Sequence, residues 1–161
     1  MNYRIYSPEH AAALCAYRLP PEQAAFTLQP FERIDADGNI DAGDDGLAIT
    51  LFSDKGAAAG LFILDDGSDK FDYTGNVNAV LLRSLSLNPA YQGQGLAKRA
   101  FVSSMLAELL REYFPCADEV VLGVNEDNQA VYCLYLHAGF ADSGRFFNGC
   151  KGKQHILSKR F

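Results

Sequence analysis

A chain of 161 residues, 48% of them apolar and carrying a formal charge of −6 at neutral pH, is long enough for one domain with a sizeable buried core and too short for two ordinary ones. Its acidic balance repels phosphate backbones and disfavours a nucleic-acid partner. No apolar run reaches membrane-spanning length, and the start, MNYRIYSPEH, has neither the basic region nor the apolar core of a secretion signal. A single cytoplasmic domain over residues 1–161, with no membrane partner, is the expectation. Cys15, Cys116, Cys133 and Cys150 stand singly, which suggests neither a zinc site nor a disulfide framework, and no metal is expected.

Arg4–Ser7 reads as a short strand, and Pro8 to about Tyr17 as a helix stopped by Leu19-Pro20-Pro21. Phe26, Leu28, Phe31 and Ile34 then fit one or two short amphipathic turns broken at Pro30. Asp35-Ala-Asp-Gly-Asn-Ile-Asp41 starts like a calcium loop, but Ile40 stands where that loop needs glycine and Gly46 where it needs a bidentate glutamate. A solvated turn is the better reading. Gly46–Phe52 and Ala57–Leu64, joined by Ser53-Asp54-Lys55-Gly56, predict an antiparallel hairpin. Asp65–Asn76 is a polar excursion that Phe71 and Tyr73 are expected to anchor.

From Ala79 the pattern changes. A strand over Ala79–Leu87 leads through Asn88-Pro89 into a glycine-rich turn and a helix of about five turns ending at Phe114-Pro115. Glu119–Val124 reads as a strand and Asn128–Ala138 as a helix, with Val131, Leu134 and Leu136 toward the core and Gly139 as its stop. Phe140–Arg145 and Gln154–Ser158 read as closing strands around a Gly-, Lys- and aromatic-rich loop, Phe146–Lys153. Antiparallel N-terminal hairpins followed by a β-α-β-α half define an α/β fold, a mixed sheet covered by helices.

The chemically informative stretch is Gln92-Gly93-Gln94-Gly95-Leu96-Ala97-Lys98, where a strand ends, glycines follow and a helix begins. Such a junction leaves several N–H groups unpaired, with the positive end of a helix behind them, and suits a pyrophosphate. The dinucleotide fingerprint fails because its third glycine falls on Lys98, and the P-loop pattern is absent. Each residue also has a plainer reading: the glycines shape a tight turn, Gln92 is solvated, Asn128 is a helix N-cap, and Tyr135 is a core tyrosine.

Gln92-x-x-Gly95-x-Ala97 resembles the pyrophosphate signature of the GCN5-related N-acetyltransferase (GNAT) superfamily. Asn128-x-Ala130-x-x-x-Leu134-Tyr135-x-x-x-Gly139-Phe140 resembles its later motif, in the right order and at the right spacing. The resemblance implies a GNAT-like acyl-CoA N-acyltransferase fold and transfer of acetyl from acetyl-CoA to an amine, without a covalent enzyme intermediate. It implies that Leu87 and Leu85 bind the pantetheine arm through their backbones, with the Leu85 N–H aimed at the acetyl carbonyl. It further implies that Gln92, Gly93, Gln94, Gly95, Leu96, Ala97 and Lys98 cradle the pyrophosphate and that Asn128 contacts the cofactor. Tyr135 corresponds to the residue that protonates the departing thiolate.

Many relatives carry a glutamate base on the central strands; here those strands offer Arg83, Ser84, Ser86, Gly123 and Asn125, with Glu126, Asp127 and His137 nearby. The missing carboxylate raises a second reading, a non-catalytic acyl-CoA-binding module. An unrelated nucleotide-binding α/β domain is the third. The acidic balance leans toward a polyamine, an aminoglycoside or a basic peptide end as acceptor, and family habit admits a homodimer.

Overall fold

The computed structural model describes residues 2–161. Strand β1 (Tyr3–Ile5) is followed by a 3-10 turn at Pro8–His10 and three short helices, α1 (Ala11–Ala16), α2 (Pro21–Ala24) and α3 (Pro30–Arg33). The hairpin β2 (Gly46–Phe52) and β3 (Ala58–Asp65) precedes β4 (Ala79–Leu87), α4 (Leu96–Val102), α5 (Met105–Tyr113), β5 (Glu119–Asn125), α6 (Gln129–His137) and a second hairpin, β6 (Ala141–Gly149) and β7 (Gly152–Arg160). The seven strands form one sheet in the order β1-β2-β3-β4-β5-β7-β6. Every neighbouring pair is antiparallel except β4 and β5.

The central strands are apolar on both sides because helices cover both faces of the sheet. On one face Phe62, Leu64, Val80, Leu82, Val120 and Leu122 pack against Phe101, Leu106, Leu109 and Tyr135 of α4, α5 and α6. The buried Met105, Leu106, Leu109 and Leu110 of α5 recur at helical spacing, as an amphipathic helix requires. On the other face Leu61 and Ile63 of β3 pack against Leu14, Tyr17, Leu19 and Ile34 from the α1–α3 region.

Four features depart from the sequence reading. The single long helix is two, α4 and α5, because Ser103 adopts an extended backbone (ψ 179°) and its hydroxyl accepts the Met105 N–H at 3.2 Å, starting a new helix. The closing strands reach through Phe146–Lys153, which is the tip of the β6–β7 hairpin rather than a loop. The Asp65–Asn76 excursion is anchored by Tyr73 and the buried Lys70, not by Phe71, which is half exposed. Lys70 Nζ donates to Asp66 at 2.7 Å and to the carbonyls of Val77 and Ala79 at 2.9 Å each, so the aliphatic stem is buried while every contact of the head is polar. Likewise Leu136 lies on the exposed side of α6 while Tyr135 is buried.

Candidate active site

The parallel pair β4 and β5 holds together only over Ala79–Leu81 against Glu119–Val121. Past that point β5 continues with β7, while β4 carries a bulge: Leu61 faces Ser86 but Ile63 faces Arg83, so Ser84 and Leu85 together oppose Phe62. Ser84 has φ +59°, the one non-glycine residue in the left-handed region among those described. A bulge leaves one backbone group surplus to the ladder and bends its strand. Here it opens a gap toward the carboxyl ends of both strands, the end of a parallel pair at which open α/β sheets bind ligands.

Leu87 leads into the loop Asn88–Gly95 and then α4 at one mouth of the gap. Among the described residues, none of the six consecutive backbone N–H groups from Gly93 to Lys98 donates a hydrogen bond within the chain. Gly93 and Gly95 adopt φ +76° and +74°, and the space beside Gly93 is open; that left-handed pair turns the amides outward. Lys98 is exposed and makes no ion pair among the described residues, while Arg99 braces the loop from behind through the Gln94 carbonyl at 2.8 Å and Asp54 at 3.2 Å. The loop therefore offers a run of unspent donors to an anion, and the residues present fit a pyrophosphate.

Gln92 is neither solvated nor free. Its amide exchanges two hydrogen bonds with Gln23 of α2, at 2.9 and 3.1 Å, and donates to the Leu87 carbonyl at 2.8 Å. The side chain clamps the end of β4 to α2 and spends the Leu87 carbonyl, so only the Leu87 N–H remains as a main-chain contact to offer. At the other mouth Asn128 stands at the N-cap of α6, yet its side chain makes no capping bond. The turn is held instead by Asn125, whose Oδ1 accepts the Asp127 N–H and whose amide donates to the Lys151 carbonyl, which leaves the Asn128 side chain unspent.

Tyr135 is buried between Phe101 and Phe140, with ring centroids 5.6 and 5.3 Å away. Burial alone lifts its phenol far above the usual tyrosine value; no hydrogen bond or charge contributes. Leu85 is half-buried against the same core. Of the base candidates, Glu126 and Asp127 are exposed beyond the end of β5, and His137 is exposed with Nδ1 on the Cys133 carbonyl of its own helix.

The opposite face of the gap brings Tyr17 and Arg33, which sequence reasoning missed, to the Arg83, Ser84 and Ser86 it had named. Tyr17 Oη meets Ser86 Oγ at 2.8 Å, and burial pushes the Tyr17 phenol up to about 12. Arg33 reaches Ser84 Oγ at 2.8 Å, and Arg83 pairs with Asp65 at 2.6 Å and Asp69 at 2.8 Å. Tyr73 lies over Gly123 of β5 beside Gln154. A Cβ at Gly123 would fall 2.5 Å from the Tyr73 ring, so glycine there is what admits the ring.

A sheet whose two parallel strands part near a bulge, with a run of unspent amides at one mouth and a helix start at the other, is the candidate site for a pyrophosphate-bearing ligand. The chain belongs to the Acetyltransferase (GNAT) family, whose profile matches residues 11–140. It is 35% identical over 158 residues to YbbJ, an uncharacterized N-acetyltransferase of Bacillus subtilis (strain 168), covering 98% of this chain and 95% of that one. Its fold is similar to that of aminoglycoside acetyltransferase AAC(6')-Ib bound to coenzyme A (TM-score 0.76, 15% identity, 99% and 94% of the two chains). It is also similar to spermidine N-acetyltransferase from Vibrio cholerae bound to CoA and spermine (TM-score 0.69, 12% identity, 98% and 94%). The chain is thus an acetyl-CoA-dependent N-acetyltransferase acting on an amine.

Proposed function

We propose that the chain moves the acetyl group of acetyl-CoA directly to a primary amine of a small molecule or peptide, residues 1–161 acting as one cytoplasmic catalytic domain. The observation that carries the cofactor site is the run of six unspent amides from Gly93 to Lys98 at the mouth of the parted strands. Acetyl-CoA supplies the acyl group as an activated thioester. The Gly93–Lys98 amides and the Lys98 ammonium hold the pyrophosphate, and Gln92 keeps the loop seated on β4. The Leu87 N–H and the Asn128 side chain hold the pantetheine arm. The Leu85 N–H polarises the carbonyl.

The amine nitrogen then forms the C–N bond as the C–S bond breaks. Sulfur leaves with the electron pair, hydrogen-bonded by the Tyr135 hydroxyl on this reading, and takes a proton from solvent while the nitrogen releases one. The one acid on the parted strands, Glu119 at the start of β5, pairs with Arg160 at 3.3 Å away from their carboxyl ends, and the nearby Asp65 and Asp69 are bound to Arg83, so the amine arrives neutral. Thiol release measured against pH should then show kcat/KM rising tenfold per pH unit until the acceptor ammonium itself titrates. A plateau set by an enzyme group below pH 7 would contradict that. The same lack of a free carboxylate favours the second reading, a non-catalytic acyl-CoA-binding module; tight acetyl-CoA binding with no thiol release across a broad amine panel would establish it.

A further inference from the structure

The acidic composition points to a cationic acceptor, and the acceptor face of the gap points the other way. By register, Arg83 and Ser86 of β4 stand on the same face as Ile63 and Leu61 of β3, which pack under α1–α3. Helices α4–α6 cover the opposite face. The polar groups on the α1–α3 side are therefore separated by the sheet from the core of the cofactor helices, and they flank the bulge where the acetyl group is received.

Two guanidinium groups dominate there. Arg83 is compensated by Asp65 and Asp69, whereas Arg33 makes no ion pair among the described residues: its Nη1 donates to the Asp41 carbonyl at 2.9 Å and its Nη2 to Ser84 Oγ at 2.8 Å. The neighbouring acids Asp41 and Glu32 keep their charge but turn an oxygen to backbone amides, Gly43 N–H at 3.1 Å and Gln29 N–H at 2.7 Å, and do not pair with the guanidinium. The Nε–H groups of both arginines are buried without an acceptor, an arrangement that costs stability unless something offsets it. Burial first, then the neighbouring Arg83, hold the Arg33 pKa below its ordinary value, against the opposing pull of Asp41, Asp65 and Glu32. A polycation entering beside Ser84 would meet the like charge held on that hydroxyl; an anion would meet a half-buried arginine with unspent donors.

We propose that the acceptor is an amine that also carries a carboxylate, an amino acid or peptide-like acid, and that Arg33, supported by Arg83 and Ser84, seats that carboxylate next to the acetyl position. This rests on the acetyltransferase reading and names its substrate class. The panel that tests it pairs free amino acids, dipeptides and ω-amino carboxylates with their amides, and adds spermidine and kanamycin, with CoA thiol release as the readout. At least one acid is expected to exceed its amide by a hundredfold or more in kcat/KM. Arg33→Gln should lower that ratio tenfold or more through KM with kcat nearly unchanged, and Arg33→Lys should restore part of it while circular dichroism stays native. The proposal is overturned by amides, spermidine or kanamycin turning over as well as the acids, by an acid-to-amide ratio unchanged in Arg33→Gln, or by no acid turning over in protein that binds acetyl-CoA. Loss of acetyl-CoA binding itself would instead overturn the acetyltransferase reading.

Discussion

Tyr135 serves the core and the proposed chemistry with one side chain, and the two roles separate by measurement. Because burial raises its phenol well above the thiol range, full proton transfer to a departing thiolate near pKa 8.5 is uphill, and its contribution is a charge-assisted hydrogen bond of about 1.5–3 kcal/mol. Tyr135→Phe, which keeps the ring packed on Phe101 and Phe140, should therefore lower kcat about ten- to hundredfold with KM for acetyl-CoA nearly unchanged. An unaltered kcat would leave Tyr135 a core residue only. His10 is a purely structural counterpart: its Nδ1 accepts from the Ser7 N–H at 3.2 Å and meets Thr50 Oγ1 at 3.0 Å, and burial lowers its pKa. Between that lowered value and the unfolded value of about 6.5, the unfolded chain binds a proton that the folded chain does not, so stability rises with pH across the window and falls on acidification below about 6.5. Thermal melts from pH 5 to 7.5 should show a steeper acid loss in the wild type than in His10→Gln; parallel curves would refute this.

At the scale of elements, legibility followed locality. The β2–β3 hairpin, β4 and the glycine turn before α4 are written in alternation and glycine spacing over a few neighbouring residues, and the two GNAT motifs fall on that turn and on α6. The bulge at Ser84 has no such mark, because serine does not advertise a positive φ. Contacts such as Arg33 to Ser84 and Tyr17 to Ser86 join residues 51 and 69 apart, and only the folded chain brings them together. The break between α4 and α5 hid for another reason: two serines inside a good helical pattern read as ordinary surface residues until one of them caps. The Asp65–Asn76 excursion belongs to this scale too. Lys70→Met should strip the Val77 and Ala79 carbonyls of their donor and cost about 2–4 kcal/mol, lowering the urea midpoint by roughly 1–2 M. A midpoint shift under about 0.3 M would show the clip to be incidental.

For the whole molecule, the sheet divides the labour. One face and the carboxyl ends of β4 and β5 present the amide cradle, and the α1–α3 face presents arginine and tyrosine toward the parting strands. The global charge of −6 says little about the second face, since composition averages over surfaces that the fold keeps apart. The central claim is the cradle, and calorimetric titration of acetyl-CoA into wild type and Gly95→Glu tests it most directly. Gly95 holds φ +74° in the middle of the amide run, so a glutamate there sets a negative charge where the pyrophosphate is to sit. Saturable 1:1 binding by the wild type should be lost in the variant while circular dichroism shows the fold retained. Equal affinity in both proteins, or no binding by well-folded wild type, would contradict it.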